Sequence, residues 1–75
     1  MKSYSNLSGN SGVVGYDFGD YSIDVHFRNR TAYRYPYESA GESNIEHMKQ
    51  LALAGSGLSS FISRVVKDRY AFRLH

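Results

Sequence analysis

Two clusters in this sequence and one segment of charge hold side chains whose types suit ligand chemistry. The first is the string Tyr33-Arg34-Tyr35-Pro36-Tyr37. On a strand, Tyr33, Tyr35 and Tyr37 share one face and Arg34 points from the other. Phenol rings stack on bases, and a guanidinium pairs with phosphate or stacks on a base. The same string also reads as the core face of a strand with hydroxyls at its edge. The second cluster is Gly55-Ser56-Gly57-Leu58-Ser59-Ser60, an elbow running into a helix start. Unpaired N–H groups and the positive end of the helix dipole lie there. The glycines let an anion approach the backbone, and Ser56, Ser59 and Ser60 add hydroxyl donors. A plain interhelical turn with a serine cap is the alternative, and the spacing and lysine of a P-loop are missing. The segment of charge is the C-terminal third. Residues 59–75 hold Arg64, Lys67, Arg69 and Arg73 against Asp68, a balance of +3, while the rest of the chain is −1. That asymmetry places positive potential at the C-terminal end, on dispersed residues that suit a compact ligand with a few phosphates better than a long duplex. A solvated helix face is the plainer reading of the same charges.

Catalysis is poorly served. His26, His47 and His75 fall in a strand, a helix and the terminus, without metal-ligand spacing. Ser22, Asp24 and His26 share one strand face, but neighbours at i and i+2 stand ~7 Å apart and project in parallel, so they cannot converge as a triad. The chain has no Cys, which excludes disulfides, thiol chemistry and thiolate zinc sites. We expect no enzymatic activity, no metal and no cofactor.

The elements that must position these groups follow from periodicity. Residues 1–12 are rich in Ser, Asn and Gly and read as a flexible N-terminal arm able to become ordered near Leu7, with a single domain over 13–75. Val13–Phe18 is a first strand, closed by the turn Gly19-Asp20. From Tyr21 to Arg28, Ile23, Val25 and Phe27 alternate with polar residues as a second strand. After a tight turn at Asn29-Arg30, Thr31–Tyr35 is a third, and Pro36 ends it or sits on its edge. The period then changes. Ser43-Asn44-Ile45-Glu46 has capping-box form, and Ile45, Met48, Leu51 and Ala52 make one stripe, predicting a helix over 44–54. A second helix begins near Leu58 or Ser59, with Leu58, Phe61, Ile62, Val65 and Val66 on its inner face. Tyr70–Leu74 alternates again as a possible final strand. The expected architecture is α+β, a three-stranded antiparallel meander covered by two helices.

The 75 residues, 41% hydrophobic with net charge +2, make one small domain. Domains of this size bury only about 60% of their unfolded surface, so self-association is a natural route to more burial. No run is apolar enough to span a membrane, and no secretory leader pattern opens the chain, so a cytoplasmic protein is expected. Aromatics are 15% of residues, with seven Tyr and four Phe. That suits either the rim of a thin core or a surface that meets something flat.

The order of these motifs resembles the KTSC domain, a short bacterial and phage module found also at the C-terminus of some lysyl-tRNA synthetases. The resemblance rests on Val13-Val14-Gly15-Tyr16-Asp17, the alternating Ile23/Val25/Phe27, the Tyr33-Arg34-Tyr35 hallmark, and a Ser/Gly turn followed by Phe61, Val66 and Arg69-Tyr70. It covers roughly residues 8–73. The chain departs from the family where Leu58-Ser59-Ser60 separates Ser56-Gly57 from Phe61, where Ile62 replaces a second aromatic, and where Ser63 replaces the usual Asn. The resemblance implies a small binding module with affinity for RNA or nucleotides.

The expected function is therefore non-catalytic binding of a phosphorylated, nucleotide-type ligand. Arg64, Lys67 and Arg69 would supply charge, Ser56, Gly57, Ser59 and Ser60 donors, and Tyr33, Tyr35 or Tyr70 a stacking face, with Arg34 nearby. A phage-type sponge for a cyclic nucleotide or oligonucleotide immune signal is the sharpest form of this expectation. The alternatives are an RNA-binding accessory domain and a protein-interaction module built on the tyrosines.

Overall fold

The computed structural model describes residues 1–7, 9 and 12–74. Ser8, Asn10, Ser11 and His75 lie outside the described residues, so the expectation for those positions of the arm and for the terminal histidine is not addressed. The architecture is α+β, with a five-stranded antiparallel sheet in the order β1-β2-β3-β4-β5. Its strands are β1 (Lys2–Ser3), β2 (Val13–Gly19), β3 (Ser22–Phe27), β4 (Ala32–Pro36) and β5 (Phe72–Arg73). The meander β2-β3-β4 is the expected one. The possible final strand forms within Tyr70–Leu74 as β5, and β1 adds a further strand at the other edge, because the two ends fold back onto the sheet. Phe72 and Arg73 pair with Arg34 and Tyr33, and Lys2 and Ser3 pair with Tyr16 and Gly15.

One sheet face is covered by helices. Between β4 and α2 (Glu42–Ala54) lies a single turn, α1 (Tyr37–Ala40), so Tyr37 begins a helix instead of extending the strand. Ile45, Met48 and Ala52 of α2 are buried against Tyr16, Ile23, Val25 and Tyr35 of the sheet. The alternation of β3 explains this. Ile23 and Val25 are fully buried, while Ser22, Asp24 and His26 face outward, half-buried. The expected capping box does not form. Glycine 41 caps α2 without a side-chain bond, Ser43 falls inside the first turn, and Glu46 accepts from the Tyr37 hydroxyl and pairs with Lys49 instead.

The second helix also differs from its pattern. It starts as α3 (Leu58–Phe61) and continues as a π-helical turn, Ile62–Val66, closed by Lys67 N donating to Ile62 O at 2.6 Å. The wider turn selects Leu58, Ile62 and Val66, spaced by four, for burial. Val65, on the predicted stripe, is left 40% exposed. Lys67, at φ 50°, stops the helix and turns the chain toward β5.

The segment expected to be a flexible arm is anchored at its start. Tyr4 is buried, its N–H donates to Val14 O at 3.0 Å, and its hydroxyl accepts from Leu58 N at 3.2 Å. Leu7 N donates to Gly55 O at 2.7 Å. Gly55 is required twice over. It closes α2 in the left-handed region at φ 74°, and a Cβ there would lie 2.6 Å from Ser5 Cβ. Burial is the physical reason: the Tyr4 ring and the buried Leu58 N–H hold this segment to the core. Tyr4→Phe leaves the buried Leu58 N–H without an acceptor, which costs about 1–3 kcal/mol. A urea denaturation midpoint lowered to match, with an unchanged slope, is the expected result.

Candidate functional site

The two sheet faces carry different chemistry. On the helix-covered face, Lys2, Tyr16, Val25, Tyr33 and Arg73 form one row across all five strands. Tyr16 and Val25 are buried beneath the helices, whereas Tyr33 is only half-buried. Around it the aromatics gather. Tyr33 lies 4.3 Å centroid to centroid from Tyr70 and 5.9 Å from Phe27, and Tyr70 meets Tyr35 edge-on at 6.1 Å. The left-handed turn at Lys67 makes this possible by returning Tyr70 to the sheet, where Ala71 N donates to Arg34 O at 2.9 Å.

An open groove of about 360 Å³ runs beside this cluster, lined by Gly12, Phe27, Arg28, Asn29, Thr31 and Tyr33. The β3–β4 hairpin shapes it. Phe27 N donates to Thr31 O, Arg30 N donates to Phe27 O, and the Thr31 hydroxyl and N–H both donate to Asn29 Oδ1, at 2.6 and 3.2 Å. Arg28 N donates to Gly12 O, tying the hairpin to the start of β2. A second hollow, sharing Phe27, Arg28 and Thr31 with the first, continues around the hairpin past Arg30, His26 and Val14. The groove therefore has an aromatic wall and a cationic rim, a combination suited to stacking a base and neutralising its phosphate.

Three expected site residues, Tyr33, Tyr35 and Tyr70, are brought together. Tyr35 serves mainly the core, at 2% exposed. Its phenol is pushed up to about 12 by burial first, and then by Tyr33, Tyr70 and Asp68. An acid whose pKa rises on folding holds its proton in the folded state while the unfolded chain loses it. Stability is therefore full below pH 10 and falls between pH 10 and about 12. Tyr37, raised to about 12 chiefly by its hydrogen bond to Glu46, acts in the same direction. Alkaline denaturation followed by circular dichroism should show this fall, and Tyr35→Phe should blunt it.

The other expected residues are dispersed. Arg34 lies on the opposite sheet face in a two-pronged bond to Asp24, at 2.8 and 3.0 Å, which holds its guanidinium pKa above the ordinary value. Asp24 is thereby occupied, and His26 meets Asp17 of β2 at 3.2 Å instead, a pairing between strands that residue spacing along β3 does not reveal. The N-terminal segment near the β1 edge occupies part of the elbow's backbone. Leu58 N is taken by Tyr4, and Gly55 O by Leu7. Ser56, Gly57 and Ser60 are exposed and Ser59 is half-buried. Arg64, Lys67 and Arg69 are exposed and make no ion pair among the described residues. The elbow lies beside Tyr4 and Leu7, whereas Tyr70 packs on Tyr33 and Tyr35. The groove residues Phe27, Arg28, Asn29 and Thr31 were not picked out by sequence reasoning. Their signal was an arginine pair flanking a turn between aromatic positions on one sheet face.

Among the described residues, no group of three His, Cys, Asp or Glu side chains is placed to hold a metal, and no helix is long and apolar enough to cross a membrane. No protein-family model, curated protein or solved structure matches this chain.

Proposed function

We propose that this chain is a non-enzymatic binding module for a nucleotide-type anionic ligand, KTSC-like in character, with its site at the hairpin end of the sheet. The base lies against Phe27 and Tyr33, and Arg28 and Arg30 meet the phosphate. One observation carries the reading: a groove walled by Phe27 and Tyr33 and rimmed by Arg28 continues past Arg30, on a hairpin pinned by its own hydrogen bonds. This moves the site away from the elbow and from Arg34. The groove volume sits at the low end of the ~300–1,000 Å³ of small-molecule sites, room for about one nucleotide.

Isothermal titration against mononucleotides, cyclic di- and trinucleotides and single-stranded RNA of increasing length tests the proposal. Saturable heat with at least one class is expected, and silence across all of them removes it. The sponge role requires a cyclic member to bind more tightly than linear RNA. A second reading, an RNA-binding accessory, is favoured by the continuation of the groove past Arg30. It predicts affinity that grows with oligonucleotide length and falls steeply with salt.

A further inference from the structure

We propose that the acidic, aromatic end of the sheet, around the β2–β3 turn, receives the Arg28–Arg30 hairpin of a second copy of this chain. A hollow of about 360 Å³ at that end is lined by Tyr21, Pro36, Tyr37 and Glu38. The Tyr21 ring is 71% exposed and stands edge-on to Tyr37, with centroids 5.7 Å apart at 76°. The corner is rigid. Tyr37 N donates to Tyr21 O at 2.8 Å, and the Tyr37 hydroxyl is held by Glu46. Around it, Asp20, Glu38 and Glu42 are exposed and make no ion pair among the described residues.

Two rings at right angles beside carboxylates suit a guanidinium, which stacks on an aromatic face while its N–H fork meets an acid. The molecule already uses this chemistry next door. The Lys49 ammonium lies 5.7 Å from the Phe18 centroid and 5.8 Å from that of Tyr37, and pairs with Glu46 at 3.1 Å.

Charge selects the occupant. In an antiparallel meander the β3–β4 hairpin lies at the end opposite the β2–β3 turn, and that hairpin carries Arg28 and Arg30. Arg30, at φ 68°, is exposed on the turn with no ion pair among the described residues. One end is thus cationic and the other anionic, each with aromatic walls. Opposite ends that complement one another join head to tail, and such a junction leaves a free tip and a free receptor for the next copy. A domain this small also gains from covering Tyr21 and Pro36.

Sedimentation equilibrium of the whole chain at low salt, without nucleotide, tests the proposal. The average mass should rise with concentration, and high salt should return it to that of one chain. Arg30→Ala removes the tip and Tyr21→Ala the receptor, so each variant alone should stay at the mass of one chain. Their mixture retains one intact junction and should stop at two chains. A wild-type mass of one chain at every concentration overturns the proposal. So does association indifferent to both substitutions, or a mixture that never reaches two chains. With nucleotide absent, and Tyr21 outside the groove, the outcome stands apart from the nucleotide reading.

Discussion

Tyr35→Ala is expected to remove a large share of the stability of the fold. The side chain is 2% exposed and sits between Ile23 of the neighbouring strand and the edge of Tyr70, with the helices above it. Truncating a buried aromatic costs about 3–5 kcal/mol. At ~0.05–0.15 kcal/mol per residue, a chain of 75 residues has only ~4–11 kcal/mol in total. Each kcal/mol lowers the melting midpoint of so small a domain by ~4–8 °C, so a fall of roughly 12–40 °C should appear by circular dichroism. Tyr35→Phe keeps the ring and should melt within a few degrees of the wild type. An alanine variant as stable as the parent would mean that Tyr35 is a surface residue and that the described core is wrong.

Tyr33→Ala is expected to weaken nucleotide binding by roughly 5- to 150-fold, the loss of one base stack worth ~1–3 kcal/mol. Tyr33 lines the groove and is half-buried. Its ring also contacts Tyr70 and Phe27, so Tyr33→Phe serves as the control that keeps both packing and stacking. Arg34→Ala adds a second control with the opposite expectation. Its guanidinium faces the other side of the sheet and is tied to Asp24, so binding should be unchanged, while stability falls by only ~0–1 kcal/mol, as for an exposed pair. Titration calorimetry reads both. Equal losses from Tyr33→Ala and Arg34→Ala would place the ligand elsewhere.

The contrast between adjacent residues shows how much could be read before folding. Strand alternation already put Tyr33 and Tyr35 on one face and Arg34 on the other, because successive side chains in a pleated strand must oppose each other. It did not say which tyrosine the helices would cover. Tyr35 opposes Ile23 at the end of the sheet where α1 begins and is buried, whereas Tyr33, nearer the β3–β4 hairpin, is only half-buried. The α2 stripe of Ile45, Met48 and Ala52 was legible for the same local reason.

Local periodicity thus determined the three-stranded meander, α2 and the two-sided character of β4, since those patterns repeat within a few residues. Tertiary structure alone decided the rest: the bond from Leu58 N to the Tyr4 hydroxyl, 54 residues apart in the chain, and the return of Tyr70 onto Tyr33 through the bend at Lys67. It also decided the pairing of His26 with Asp17 and the groove between Gly12 and the hairpin. Each joins residues far apart in the chain through burial and hydrogen bonding in three dimensions, to which a repeat of two or 3.6 residues is blind.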